Sequence, residues 1–257
     1  MAWYHTFFEG LPQTAWKENQ SEEYTDWEVD FLVDVLELKM EDKVLDVMAG
    51  YGRHALPLAE RGYKLTAIDI SAEYCEELQS AVKAKNLSVE VLQGEFGEMK
   101  LPQTTYAAAY CLGNSFSFFP REEMKRFLQK IADQIQLGGH FVAHTQLLAE
   151  SVFPNFQERS WMPVGGDITY LAQNEFDVVQ GVIRAELTYA RGSERVTRTI
   201  EQHVFTLAEL SAIMKETGLT VTETFGSLDG EPFALGDEQA YLLVVKKEEG
   251  REESRKG

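Results

Sequence analysis

Short apolar segments alternate with segments of helical periodicity along most of the chain. Apolar runs predict strands at residues 43–47, 64–70, 89–92, 106–112 and 141–145. The run 106–112 is nearly continuous in apolar residues, which is typical of a strand that is covered on both faces. Strands that alternate with helices predict a parallel sheet, wound right-handedly, with helices on both faces.

Capping signals mark the helices between these strands. Thr25 is a predicted N-cap with Glu28 at the capping-box position, and Ser71 and Thr206 are predicted N-caps of later helices. Glycines end several helical segments, because glycine readily adopts the left-handed conformation of a helix C-terminus. These signals predict helices at 53–61, 71–85, 120–135 (closed by Gly138 and Gly139) and 207–217.

The pattern changes between residues 150 and 205, where helical spacing is absent. Three strands are predicted there, at 167–176, 178–190 and 194–205, with a hairpin turn at 190–193. We interpret this segment as an antiparallel insertion that lies over the sheet. Further on, no helix fits between the strands predicted at 219–225 and 239–245, so the last strand is expected to return antiparallel, as a hairpin.

These elements predict an α/β protein. Its doubly wound, mostly parallel sheet has seven strands with an antiparallel last strand, and an antiparallel β insertion is added to it. Four regions are expected along the chain: an aromatic, helical cap at 1–40, an α/β domain formed by 41–149 and 206–247, the insertion at 150–205 as a lid or substrate region, and a charged, disordered tail at 248–257.

Composition then narrows the functional classes. The formal net charge is -18, and because an acidic surface repels phosphate backbones, nucleic acid is not an expected partner. No stretch approaches the roughly 20 apolar residues of a membrane span, and the N-terminus has no secretory pattern, so no membrane partner is expected. Cys75 and Cys111 are expected to be buried thiols in a reducing cytoplasm.

A strand, a glycine turn and the start of a helix follow one another at residues 44–54. Gly50 and Gly52 let the backbone pass close to a ligand, and the helix presents free N–H groups to it. Asp69 ends the next strand, where a carboxylate can accept both hydroxyls of a ribose. Because Gly50-x-Gly52-x-x-Ala55 also fits the looser dinucleotide fingerprint, the turn alone leaves a nicotinamide cofactor open.

Three further features favour S-adenosylmethionine as the cofactor. Asp46 lies four residues before Gly50, where it can reach an amine or the ordered water of that amine. Glu95 and Phe96 follow the third strand, where an acid and an aromatic ring can hold an adenine. The third feature is the predicted antiparallel hairpin at the end of the chain.

Five motifs carry a resemblance to a known family. They are Leu45-Asp46-x-x-x-Gly50-Tyr51-Gly52-Arg53-His54, Ala67-Ile68-Asp69-Ile70-Ser71, Gln93-Gly94-Glu95, Cys111-Leu112-Gly113-Asn114-Ser115-Phe116 and Leu137-Gly138-Gly139. With these motifs the sequence resembles the class I S-adenosylmethionine-dependent methyltransferases, in particular bacterial small-molecule members. The resemblance covers almost the whole chain and implies a Rossmann-like methyltransferase fold. The family often has glycine where this sequence has Met48.

The resemblance implies how the methionine and ribose parts of the cofactor are bound. Asp46 and the turn formed by Ala49, Gly50 and Gly52 would hold the methionine part. Asp69 would bind the ribose hydroxyls. An arginine is expected near residues 22–25 for the methionine carboxylate, and none is there, which makes Tyr4 the candidate.

The same resemblance implies residues for the adenine and the sulfonium. Ile70 would pack on the adenine, Glu95 would accept a hydrogen bond from its amine, and Phe96 would donate one through its backbone. The residues implied at the sulfonium end are Cys111, Leu112 and Asn114.

Methyl transfer from a sulfonium mainly requires that the nucleophile, methyl and sulfur are aligned and that water is excluded. A base is needed only if the acceptor is protonated, so no firm catalytic residue is predicted; the candidates are Asn114, His144 and Tyr4, and no metal site is predicted. The prediction is a cytoplasmic methyltransferase, a monomer or homodimer, with a small-molecule acceptor whose N, O, C or S atom stays open. The alternatives are a nicotinamide-dependent oxidoreductase and a non-catalytic S-adenosylmethionine-binding module.

Overall fold

The main sheet has seven strands in the order β10-β11-β5-β4-β1-β2-β3. The computed structural model describes residues 2–101 and 105–247. The strands of this sheet are β1 (Lys43–Val47), β2 (Lys64–Asp69), β3 (Val89–Gln93), β4 (Tyr106–Cys111), β5 (Ile135–Thr145), β10 (Leu219–Phe225) and β11 (Ala240–Lys246). The predicted fold class is confirmed.

Eight helices surround the strands within the described ranges. They are α1 (Tyr4–Phe7), α2 (Leu11–Glu18), α3 (Glu22–Val35), α4 (Ala55–Glu60), α5 (Ala72–Lys85), α6 (Arg121–Gln134), α7 (Ala149–Asn155) and α8 (Leu207–Lys215). One core joins α6 and α8 to one face of the sheet, and a second core joins α3, α4 and α5 to the other face. Both faces are therefore covered, as the apolar run of β4 predicts.

The direction of the strands places the site. β1 pairs in parallel with both β2 and β4, so the carboxyl ends of these strands lie at one edge of the sheet. The connections run from β1 toward β3 on one side and through β4 and β5 on the other, which makes the β1–β4 boundary a topological switch point. The predicted terminal hairpin is confirmed: β11 is antiparallel to β10 and also to β5, and lies between them.

The insertion forms a separate antiparallel sheet with four strands. These are β6 (Arg159–Pro163), β7 (Thr169–Asp177), β8 (Val182–Arg191) and β9 (Glu194–His203). Arg191 pairs with Glu194 across the predicted turn, where Gly192 has a φ of 58°. The hairpin and the three predicted strands, which correspond to β7, β8 and β9, are confirmed. The expectation that this region has no helix is wrong, because α7 lies there, and β6 is a further strand that was not predicted.

The N-terminal helices pack on this second sheet. A third core joins Phe7, Leu11 and Ala15 to residues of β7 and β8, including Leu187 and Tyr189. It is separate from the two cores of the main sheet. The segment before α3 therefore lies between the insertion and the rest of the molecule.

Two helix boundaries differ from the prediction. Ser21, not Thr25, caps α3: the Ser21 hydroxyl accepts a hydrogen bond from the Tyr24 N–H, and the Thr25 hydroxyl bonds the Ser21 carbonyl one turn inside the helix. Acidic residues in the first turn favour the earlier start, because they interact well with the helix dipole. At the other boundary, α6 ends at Gln134 and β5 begins at once, so Gly138 and Gly139 lie inside a strand.

The predicted disordered tail at 248–257 lies outside the described residues. Among residues 2–101 and 105–247, no helix has both the length and the apolar character that crossing a bilayer requires.

The capping box of α8 gives a first testable prediction. The Thr206 hydroxyl accepts a hydrogen bond from the Glu209 N–H at 3.1 Å, and the Glu209 carboxylate accepts one from the Thr206 N–H at 2.9 Å. We expect Thr206→Ala to lower the free energy of unfolding by about 1 kcal/mol, measured by urea denaturation. Thr206→Ser keeps the acceptor and should cost less than half as much; equal losses would contradict a capping role.

Candidate active site

A cavity of about 930 Å³ opens at the carboxyl ends of β1, β2, β3 and β4. Its volume lies at the upper end of the range for ligand sites, roughly 300–1,000 Å³. Of the predicted site residues, those that line it are Tyr4, Asp46, Ala49, Gly50, Asp69, Ile70, Glu95, Phe96 and Leu112. The fold therefore brings most of the sequence-predicted site residues together in one place.

The turn after β1 has an unusual backbone. Met48 has a φ of 62° and Gly50 a φ of 58°, both in the left-handed region. A side chain is disfavoured in that region, so the backbone at Met48 is one that would suit glycine better. Gly52 has a φ of 83°, and a Cβ atom there would lie 2.2 Å from a Leu78 methyl carbon. Gly52 therefore does not line the cavity but lets the turn pack against α5.

Asp46 is buried at the end of β1 and has an exposed fraction of 2%. Its Oδ2 atom has no hydrogen-bond partner within the described ranges. Burial raises the pKa of Asp46 to about 7. The buried Tyr110 hydroxyl, which likewise has no other partner among the described residues, interacts with this carboxylate and lowers its pKa, but less than burial raises it. Because an incompletely hydrogen-bonded buried carboxylate is costly, a further donor would stabilise it. An ammonium group in the cavity fits that requirement.

Asp69 closes the turn from the side of β2. Its Oδ2 accepts a hydrogen bond from the Gly50 N–H at 2.7 Å, and its Oδ1 accepts one from the Ser71 N–H at 2.8 Å. Burial raises the pKa of Asp69. Each carboxylate oxygen has a second lone pair, so Asp69 can still accept hydroxyl groups from the cavity.

Glu95 connects the end of β3 to the N-terminal segment. The Tyr4 hydroxyl donates to Glu95 Oε1 at 3.2 Å, and His5 Nε2 lies 3.5 Å from Glu95 Oε2. Burial and the charge of Glu95 raise the pKa of Tyr4 to about 12. Tyr4 is therefore protonated at neutral pH, and can donate a hydrogen bond but cannot act as a base. Phe96 is buried beside it and packs on Phe127.

Cys111 and Asn114 do not belong to the lining. Cys111 is fully buried in the core of the sheet, and burial raises the pKa of its thiol. Asn114 does not line the cavity, and its side-chain Oδ1 accepts a hydrogen bond from the Gln146 N–H at 2.8 Å. Of the three residues implied at the sulfonium end, only Leu112 lines the cavity.

His144 is also outside the cavity. Its Nδ1 accepts a hydrogen bond from the Asn114 N–H at 3.2 Å, and its Nε2 lies 3.2 Å from the Gln239 side-chain oxygen. The ring stacks on Tyr241 with centroids 4.6 Å apart, and burial lowers the pKa of His144 to about 4. With both nitrogens engaged, His144 holds the loop after β4 against β11 and is not a candidate base.

An ion pair that the sequence motifs do not reveal lies beside the glycine turn. Arg53 lines the cavity and binds Glu28, which is buried behind it on α3. His54 Nε2 lies 3.0 Å from the same Glu28 oxygen, Oε2. The sequence did contain one signal. A cation at the start of a helix interacts unfavourably with the helix dipole, so Arg53 at this position indicates an anionic partner.

The wall opposite the strand ends is aromatic and comes from two segments. Tyr4, Phe8 and Trp16 line it from the N-terminal region, and Phe118 and Phe119 line it from the loop after β4. None of the described residues of the insertion lines the cavity. The insertion instead supports the N-terminal wall from behind: Trp16 Nε1 donates to the Tyr189 hydroxyl at 2.7 Å. Of the two segments expected to cover the acceptor, only the N-terminal aromatics line the cavity.

Comparison with known proteins gives the same fold and chemistry. Residues 44–139, which include β1 to β4 and the glycine turn, match the family model described as "Methyltransferase domain". The matched residues form a methyltransferase domain. Its cofactor is S-adenosylmethionine, and this decides between the two cofactors that the glycine turn left open.

Relatives of this methyltransferase extend the similarity beyond the matched domain. The cypemycin N-terminal methyltransferase of a Streptomyces species is 27% identical over 206 residues, which cover 79% of this chain and 82% of the relative. The CcbJ methyltransferase of Streptomyces caelestis has a similar fold, with a TM-score of 0.81 at 16% identity over 95% of this chain and 99% of that one. CalS10 of Micromonospora echinaspora, an amino pentose methyltransferase with S-adenosylmethionine bound, has a TM-score of 0.70 at 14% identity and covers 93% of this chain and 98% of its own.

The Trp16–Tyr189 hydrogen bond allows a direct test of how the methyltransferase supports its aromatic wall. We expect Tyr189→Phe to lower the free energy of unfolding by about 1 kcal/mol, since the indole N–H loses its acceptor. Urea denaturation followed by tryptophan fluorescence measures the loss. Tyr170→Phe is the matched control, because the Tyr170 ring also contacts Trp16 but its hydroxyl does not accept this hydrogen bond. A loss of the same size in the control would contradict the role given to the hydrogen bond.

Proposed function

We propose that this methyltransferase transfers the methyl group to the amine nitrogen of a small molecule held in the cavity of about 930 Å³. The observation that carries the proposal is the division of this cavity. Acidic side chains at the strand ends, of which Asp46 is buried, form one side, and aromatic side chains from the N-terminal region and the loop after β4 form the other. One side suits the cofactor, and the other can hold a second ligand against it.

The cofactor side is assigned by the chemistry of its donors and acceptors. Asp46 would accept from the ammonium group, Asp69 from the ribose hydroxyls, and Glu95 from the adenine amine. Ile70 would pack on the adenine, and the Phe96 N–H would donate to it. The unpartnered Asp46 Oδ2 and the close backbone of the Gly50 turn support this assignment.

The aromatic side suits a cationic or amine-bearing acceptor. Aromatic faces attract ammonium groups, and Glu9 adds negative charge to the lining, whereas Glu123 is paired there with Arg126. One relative supports nitrogen as the acceptor atom by its name, the cypemycin N-terminal methyltransferase. An aromatic wall also excludes water, which protects the reacting groups from hydrolysis.

Positioning, rather than a dedicated base, would accelerate the reaction. S-adenosylmethionine supplies a methyl group that is already activated on a sulfonium. An amine that binds as an ammonium must first lose one proton to solvent, because only the neutral amine has the lone pair that attacks. The protein's part is then to hold this neutral amine in line with that methyl, between Leu112 and the aromatic wall. Tyr4, whose hydroxyl proton is donated to Glu95, would orient the acceptor by accepting a hydrogen bond from it.

The proposal also covers the organisation and location of the protein. Residues 1–40 would form the cap over the acceptor, 41–149 and 206–247 the cofactor domain, and 150–205 the support of the cap. A cytoplasmic location is proposed because both Cys75 and Cys111 are free.

A matched substrate panel tests the acceptor atom. The purified protein with S-adenosylmethionine is offered an amino sugar, an amino acid and a short peptide, each paired with the analogue in which a hydroxyl replaces the amine. Release of S-adenosylhomocysteine and the mass of the product are measured. We expect methylation of an amine and not of its hydroxyl analogue. Transfer to the hydroxyl analogues would overturn the nitrogen assignment, and methylation of folded protein alone would overturn the small-molecule assignment.

A further inference from the structure

The cavity contains a cation whose charge is only partly used inside the protein. Arg53 Nη1 donates to the Thr25 hydroxyl at 3.1 Å and also to Glu28. A guanidinium group has five N–H donors, and the part of the chain that the structure describes offers acceptors only to those on Nη1. The exposed fraction of the Arg53 side chain is 13%, and it lines the cavity.

Glu28 fixes the position of Arg53 without itself reaching the cavity. Its side chain has an exposed fraction of 2%. Burial would raise the pKa of Glu28, but the His54 hydrogen bond and the Arg53 charge outweigh burial and lower this pKa to about 2. Glu28 is therefore an anion over the whole physiological range, and it holds the guanidinium from behind.

A cation and an anion thus stand at the two ends of the same turn. Asp46 ends β1 with an unpartnered carboxylate oxygen, and Arg53 follows Gly52 with unpartnered N–H groups. An amino-acid head group carries the complementary pair, an ammonium and a carboxylate. Given the cofactor of this family, the methionine part of S-adenosylmethionine is the group in question.

We propose that Arg53 binds the methionine carboxylate of the cofactor, and that Thr25 and Glu28 on α3 position it. The region 22–25, where the family pattern leads one to expect an arginine, supplies Thr25 as a partner of the arginine instead. The cation that pairs with the carboxylate is thus Arg53, directly after the glycine turn, and α3 holds it in place.

Lys17 is the competing cation. Its ammonium lies in the lining but binds Glu77 and stands 4.9 Å from the centre of the Tyr51 ring. Its side chain has an exposed fraction of 41%, so water screens it more than Arg53. A planar guanidinium also matches a carboxylate with two parallel hydrogen bonds, which an ammonium cannot form.

Two ligands that differ only in the carboxylate provide the test. Binding of S-adenosylmethionine and of decarboxylated S-adenosylmethionine is measured by titration calorimetry, without an acceptor. The variant is Arg53→Met combined with Glu28→Gln, so that no unpaired charge is left buried. We expect S-adenosylmethionine to bind about 10- to 100-fold more weakly to the variant, and the decarboxylated ligand to change by less than about threefold.

The remaining variants separate the possible outcomes. Glu28→Gln alone keeps the cation and should lower the affinity for S-adenosylmethionine less than the double variant does. Lys17→Met should change the affinities for the two ligands by the same factor. An equal loss for both ligands in the double variant, or a selective loss in Lys17→Met, would overturn the assignment of Arg53. If the unaltered protein bound neither ligand, the cofactor assignment itself would be wrong. If the double variant and a folded Arg53→Lys variant both still bound S-adenosylmethionine more tightly than its decarboxylated form, the assignment of Arg53 would be wrong.

Discussion

Asp46→Asn is expected to make the protein more stable and a poorer binder of its cofactor. The Asp46 carboxylate is buried without a partner for Oδ2, and its pKa is raised to about 7. The folded state therefore favours the protonated form. Stability that is present at low pH is lost as the pH rises from about 4 to above 7, because the carboxylate must ionise inside the protein. The amide keeps the shape and removes this penalty.

The size of the effect follows from the raised pKa. At pH 8 we expect the free energy of unfolding of Asp46→Asn to exceed that of the unaltered protein by roughly 2 to 4 kcal/mol. Below pH 4 the two proteins should be equally stable. Urea denaturation at several pH values measures the difference. Asp34→Asn, the same change on the exposed side of α3, is the control and should show no pH-dependent gain.

Cofactor binding should move in the opposite direction. If Asp46 accepts a hydrogen bond from the ammonium group, Asp46→Asn lowers the affinity for S-adenosylmethionine by about 10- to 100-fold, because a charge-assisted hydrogen bond is lost. In the unaltered protein the affinity should rise as the pH increases through about 7, and in the variant it should not. A variant that is more stable yet binds as tightly as before would contradict the assignment of Asp46 to the cofactor.

Gly52→Ala is expected to have the second large effect. The new methyl group would meet a Leu78 methyl carbon at 2.2 Å, and the φ of 83° disfavours any side chain. Backbone strain of about 1 kcal/mol and overpacking of about 1–3 kcal/mol add to a loss of roughly 2 to 4 kcal/mol in the free energy of unfolding. Thermal or urea denaturation measures it.

Two further variants show which part of this loss is steric. Gly218 has a φ of 77° and open space around it, so Gly218→Ala should show the backbone strain alone, about 1 kcal/mol. Leu78→Ala removes the clashing methyl groups, and the double variant with Gly52→Ala should cost clearly less than the sum of the single changes. Additive losses would mean that the turn does not depend on close packing against α5.

Local signals account for the parts of the fold that the sequence predicts well. The strands from β1 to β4 are short apolar runs, and the N-caps Ser71 and Thr206 make side-chain hydrogen bonds within three residues of themselves. Because such contacts depend on neighbouring residues only, they can be read from the sequence. The glycine turn, Asp46, Asp69 and Glu95 could be placed together for a similar reason, since parallel strands present their carboxyl ends at one edge.

Contacts between distant segments account for the failures. β6 contains Arg159, Pro163 and little apolar alternation, and it forms a strand because β7 pairs with it. The helix α7 contains Pro154, which weakens the helical signal. Arg53 and Glu28 are 25 residues apart, and only the packing of α3 beside the turn brings them together. His144 could not be excluded as a base until its partners, Asn114 and Gln239, were known.

The third hydrophobic core has a consequence for how ligands enter and leave. It joins the N-terminal helices to the insertion and shares none of its buried residues with the two cores of the main sheet. Regions with separate cores can open as separate cooperative units, each with its own free energy. Phe8 and Trp16, which pack on this core, can therefore leave the cavity together with the sheet behind them, while the cofactor domain with Phe118 and Phe119 stays folded. Exchange of product for substrate would then be set by the stability of this small unit, and substitutions far from the acceptor, on the insertion, would change turnover without changing any contact to either ligand.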